Sequence, residues 1–238
     1  MAVARAVVQN EHGHEVLERV YVWDRLVRAA HWVIAMTITI LAATGMYIGA
    51  PFFSETGRAG DHFAMGWAKV IHFYAAIAFV LAVLSRVLWM FIGPRRSSWR
   101  NFIPVCRRRW RDLRETLKFY LLIRSTPPPT IGHNPLAGLS YVAVFGMYAI
   151  MILTGLGLYA VSSQSFMHHF AFLIPLFHGV QWARWLHHIT MWCIVVFSVS
   201  HVFFAMLTSR NEKNGELDSI FSGYKFLPKG LPPDDADV

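Results

Sequence analysis

The sequence predicts an all-α membrane protein: a four-helix transmembrane bundle with both termini cytoplasmic and an interfacial helix in the cytoplasmic loop. Three observations carry this expectation. Of 238 residues, 55% are hydrophobic and only 15% charged, too apolar for an ordinary soluble domain. Four apolar stretches, at about 25–49, 67–92, 136–161 and 182–208, each approach the length that crosses about 30 Å of hydrocarbon. Eighteen of the twenty-two Lys and Arg fall in residues 1–28, the loop 93–137 and the C-terminal tail, which the positive-inside rule assigns to the cytoplasm.

Residues 1–22 read as a polar N-terminal tail without a signal-peptide pattern, and His12 and His14 in EHGHE as solvated side chains. The four-span domain follows over 23–208, then a cytoplasmic tail over 209–238. Trp23, Trp32, Tyr47, Trp67, Trp89, Tyr159 and Trp182 lie near the span ends, as an interfacial aromatic belt requires. In the loop 93–137, Val105–Ile123 (VCRRRWRDLRETLKFYLLI) has basic and apolar faces suited to the membrane surface, and Pro127–Pro129 break it. The outer loop 162–181 is apolar but too short to span, and its His168, His169 and His178 read as surface residues.

The formal charge of +8 is therefore a topology signal with some attraction for anionic lipid, and nucleic acid is not an expected partner. Cys106 and Cys193 form neither CxxCH nor CxxC, which excludes covalent c-type haem and a paired-cysteine zinc or redox site. Cys193 reads as a small core residue.

Ionisable residues inside a bilayer are costly and point to function. Four histidines qualify. On the fourth span His187 and His201 are fourteen residues apart, roughly 21 Å along a helix and close to one face. His72, on the second span, falls at the outer depth of His187. His31, on the first, falls at the inner depth of His201. The matched depths predict an outer pair, His72–His187, and an inner pair, His31–His201. Imidazole pairs without nearby carboxylate or cysteine suit low-spin haem iron better than zinc or a di-iron centre. His188 points elsewhere and reads as a supporting residue or a partner contact. Arg86, fourteen residues after His72, is placed either to contact haem propionates or a quinone, or to snorkel to the inner interface. LAATGMYIG (41–49) and MILTGLGLYA (151–160) form a faint repeat. Its Gly45 and Gly155 would let a flat macrocycle approach the backbone or simply let helices pack closely.

VRAAHW, MGWAKVIHF, LSRVLWMFIG, IGHNPLAG, MILTGLGLY, LHHITMW, HVFFA and FSGYKF run through residues 20–227. With these motifs the chain resembles the cytochrome b subunit of membrane-bound nickel–iron uptake hydrogenases. The formate dehydrogenase gamma subunit shares the histidine plan but is less similar in the loops. The resemblance implies a subunit of the bacterial cytoplasmic (inner) membrane, with the hydrogenase on its periplasmic face. It would take electrons from the iron–sulfur small subunit, and through it the large subunit, and pass them through one or two haem b groups to quinone. His72 and His187 would ligate the outer haem iron; His31 and His201 would ligate an inner one. His133 and Asn134 could bond a quinone, although Asn134-Pro135 is also good helix-start chemistry. Ala29-Ala30 before His31 departs from the bulkier residue the family leads one to expect. The chain lacks the cysteines that a nickel–iron site needs, so hydrogen activation is expected elsewhere. A formate dehydrogenase-type gamma subunit and a haem-free membrane anchor or transporter are the alternatives.

Overall fold

A bilayer-spanning chain must satisfy its backbone internally, and long apolar runs do so as helices. The computed structural model describes residues 5–10, 13–52, 63–94, 97–99, 110–111, 113–115, 118, 123, 135–212 and 215–228. Among them are four long helices, α1 (Arg25–Gly49), α2 (Ala64–Ile92), α3 (Pro135–Ser162) and α4 (Val180–Glu212). Each is long and apolar enough to cross a membrane. A short α5 (Glu216–Ser222) follows. Strands β1 (Arg5–Asn10), β2 (Gly13–Tyr21) and β3 (Tyr224–Pro228) complete the order.

The chain divides into two compact units, Leu26–Leu88, and Met1–Arg25 with Trp89–Val238. In the first, α1 buries Val27, Ala30, Ile34 and Thr37, and α2 buries Ala75, Phe79, Ala82, Val83 and Arg86. These positions follow the helical repeat and make one protein-facing stripe per helix. The opposite faces stay apolar and open, with Met36 64% and Tyr74 72% exposed, as lipid-facing side chains are. Ala29, Ala30, Ala78, Ala82 and Ser85 help line a cleft of about 350 Å³ between α1 and α2. The small Ala29-Ala30 pair thus leaves room where a bulkier residue would fill it.

In the second unit α3 packs along α4. The connection between them is not loose. Phe166–Phe172 is a 3₁₀ helix and Leu173–Leu176 a single α-turn. Both lie against α3, and Leu173 and Ile174 are buried. Gly157 makes this possible, since a Cβ there would stand 3.1 Å from Ile174 Cδ1. His178, at φ 58°, and Gly179, at φ 109°, then turn the chain into α4.

Two expectations meet a different structure. Residues 5–21, read as a polar tail, carry β1 and β2, which pair antiparallel with Arg5 opposite Glu18. β3 pairs with β2, placing Tyr21 opposite Tyr224. The sequence pattern there is short and charged, and the partner strand lies about two hundred residues away, beyond the reach of local pattern reading. The Val22 and Trp23 amides donate to the Gly223 carbonyl, and Trp23 Nε1 donates to Ser219 Oγ at 3.0 Å. Asp24 accepts from Trp89 Nε1 at 3.2 Å and Ser97 Oγ at 2.8 Å. Cys193, expected in the core, is exposed; an apolar span needs no inward direction for a small side chain. The expected interfacial helix Val105–Ile123 lies mostly outside the described residues, of which Trp110, Arg111, Leu113–Glu115 and Lys118 are helical.

Candidate functional site

On α2, His72 shares the protein-facing stripe with Ala75, Phe79, Val83 and Arg86. Each is near a multiple of 3.6 residues from it. Its Nδ1 lies 2.9 Å from Thr44 Oγ1 near the end of α1. On α4, His187 lies in the stripe of Ala183, Thr190 and Ile194, and its Nδ1 lies 2.8 Å from Thr154 Oγ1 near the end of α3. Each contact ties the end of one helix to the start of the next, which is the geometry of an antiparallel hairpin. The His187 ring also rests on bare backbone: a Cβ at Gly155 would stand 3.4 Å from its Cε1. The site glycine on α3 therefore faces the imidazole itself. Gly45 follows Thr44 in α1 at the corresponding place in the repeat.

His31 flanks the buried stripe of α1 and meets Trp32 edge-on, with ring centroids 5.3 Å apart. His201 stacks on Phe197 at 5.8 Å and 10° between planes, and the residue is exposed. Arg86 is 8% exposed, so its side chain turns into the protein and not toward the lipid. His31, His72 and Arg86 belong to one unit, and His187 and His201 to the other. His133 and Asn134 lie outside the described residues.

Three of the remaining histidines have local partners. Trp192 Nε1 donates to His188 Nε2 at 3.2 Å, which engages that lone pair on the exposed side of α4. His168 Nδ1 donates to the Ala160 carbonyl at 3.3 Å, and His169 Nδ1 to that of Phe166 at 2.8 Å. His12 lies outside the described residues, and His14 falls within β2. Among the described residues no group of three or more His, Cys, Asp and Glu gathers into a metal-binding cluster. The donor groups at His72 and His187 are imidazoles, which suit a metal held in a planar macrocycle.

Thr44 and Thr154 are the site residues that sequence reading missed. The signal was present: both stand in the Thr-Gly pair of the repeat, in which the glycine is the more conspicuous residue.

Four helices of spanning length, carrying His72 and His187 on their protein-facing stripes, define a multi-pass membrane helical-bundle protein. Residues 22–223 match the family described as prokaryotic cytochrome b561, and the chain belongs to that family. It is 34% identical to a probable Ni/Fe-hydrogenase B-type cytochrome subunit of Azotobacter vinelandii, over 98% of this chain and 100% of the relative. It is 34% identical to a protein of the same description from Cupriavidus necator, over 88% of each. A probable Ni/Fe-hydrogenase 1 B-type cytochrome subunit of Escherichia coli is 31% identical, over 86% of this chain and 90% of the relative.

Proposed function

We propose that this chain is the haem b electron-transfer and membrane-anchor subunit of a nickel–iron hydrogenase. In this reading it receives electrons from the iron–sulfur small subunit on the periplasmic side and delivers them to quinone. Its family and its similarity to hydrogenase B-type cytochrome subunits support the reading. The structural observation that carries it is the matched presentation of His72 and His187. Each is turned onto a protein-facing stripe and held by a threonine of the preceding helix. These two residues would hold the outer haem, and His31 with His201 an inner one. Haem b bound there would supply a one-electron ferric–ferrous couple.

The chain's own residues then have distinct tasks. The imidazoles ligate, and the apolar helices exclude water and lower the local dielectric. Arg86 supplies a buried positive charge that would offset a propionate or an anionic quinone. Gly155 gives the His187 ring its place against α3, and Gly45 would serve the same role in α1. His133 and Asn134, which precede α3 in the sequence, would bond a quinone carbonyl. The basic loop and tail support a reading with both termini in the cytoplasm, and the reading takes the membrane to be the bacterial inner one.

A reduced-minus-oxidised spectrum of the purified protein tests this reading, and a missing b-type band rejects it. His72→Ala and His187→Ala are each expected to remove the outer haem. His201→Ala should remove only the inner one; a wild-type spectrum for that variant would mean a single haem. Nickel in the co-purified complex would identify a hydrogenase partner, whereas molybdenum or tungsten would identify a formate dehydrogenase.

A further inference from the structure

Thr44 and Thr154 stand in different helices, yet their surroundings match. Thr44 Oγ1 lies 2.7 Å from the Ile40 carbonyl, 3.3 Å from that of Leu41 and 2.9 Å from His72 Nδ1. Thr154 Oγ1 lies 2.6 Å from the Ile150 carbonyl, 3.3 Å from that of Met151 and 2.8 Å from His187 Nδ1. A hydroxyl has one proton to give, and a carbonyl can only accept. The short contact to the carbonyl four residues back therefore takes the threonine proton, as helix-bound threonines commonly arrange. Only lone pairs remain on Oγ1 to face the histidine. Nδ1 must then carry the ring hydrogen, and Nε2 must carry the in-plane lone pair.

We propose that Thr44 and Thr154 are matched positioning residues that fix His72 and His187 in the Nδ1–H tautomer, so that each presents Nε2 to haem iron. The inference rests on the haem reading above and adds to it the atom that ligates and the group that selects it. A threonine suits the task for two reasons. Its branched side chain has few χ1 choices in a helix, and its bond to its own backbone fixes the direction of the oxygen. Inside a bilayer no water replaces that acceptor if it is lost. Donation from Nδ1 also makes the ring a stronger base toward metal, which favours the ferric state.

The test uses the full complex in detergent or nanodiscs. His72→Ala and His187→Ala come first: if haem content stays at the wild-type level in either, the ligand reading fails and takes this inference with it. If haem is lost, Thr44→Val and Thr154→Val remove the hydroxyl at nearly constant volume, and Thr44→Ser and Thr154→Ser restore it. The valine variants are expected to hold haem roughly tenfold or more weakly. They should also raise the midpoint potential of the haem that remains and shift its low-spin electron paramagnetic resonance g values. A tenfold change in the ferric-to-ferrous preference reads as about 59 mV for one electron. The serine variants should return to wild type. Valine variants with wild-type potential and g values, or serine variants as altered as the valine ones, would overturn the proposal. Thr44→Ala and Thr154→Ala, which cannot overpack, repeat the comparison if the valine proteins fail to assemble.

Discussion

Gly155 brings the backbone of α3 against the His187 ring, with the site of a missing Cβ 3.4 Å from Cε1. That is ordinary van der Waals distance for one methyl group and too little for more. Gly155→Ala is therefore expected to keep wild-type haem content, whereas Gly155→Val should push the ring aside and break its 2.8 Å bond to Thr154. Haem per protein, measured as the pyridine complex, checks both. At the other end of the helices, Asp24 accepts from Trp89 and Ser97. Asp24→Ala leaves both donors without that acceptor. The expected cost is about 1–3 kcal/mol, seen as a lower melting temperature in detergent. The histidines were legible from their depth in apolar runs, because a polar ring inside a span is conspicuous. The threonines were not, because a threonine that bonds its own helix is unremarkable in sequence until a neighbouring helix brings a histidine to it.

The four spans are the elements that hydropathy shows most directly, and the segment between α3 and α4 is the one it shows least. Phe166–Leu176 is held on α3 by the gap at Gly157, where a Cβ would meet Ile174 Cδ1 at 3.1 Å. Gly157→Val should lift it off, at about 1–3 kcal/mol for overpacking, and raise protease cleavage between α3 and α4. The repeat also becomes interpretable at this scale. α1 with α2, and α3 with α4, each place a threonine near the end of the first helix and its histidine near the start of the second. Fourteen residues further along, α4 has His201 while α2 has Arg86. The halves therefore agree at one level and diverge at the other, where one carries an imidazole and the other a cation. The strands obey a longer-range rule. β3 supplies the outer neighbour of β2 from Leu17 to Tyr21, so deleting residues 224–238 should expose residues 13–21 to limited proteolysis.

For the whole molecule, the distribution of basic residues carries a topological prediction. A C-terminal reporter that is active only in the cytoplasm should be active. An introduced cysteine at Arg58, with Cys106 and Cys193 replaced, should react with an impermeant reagent added outside. The reverse pattern would invert the membrane and place the partner on the other face. The sequence by itself determined the class of the protein, its number of spans and the histidines worth watching. Each of these follows from a local quantity: the apolar length that fills a bilayer, the charge that stays outside it, or the cost of a buried ring. Tertiary structure alone decided which atom of His72 and His187 is held and by what. It also turned Arg86 inward and Cys193 outward, and gave the N-terminal residues a strand partner. Those outcomes depend on which side chains meet across helices and strands far apart in the chain, and hydropathy and charge carry no record of such meetings.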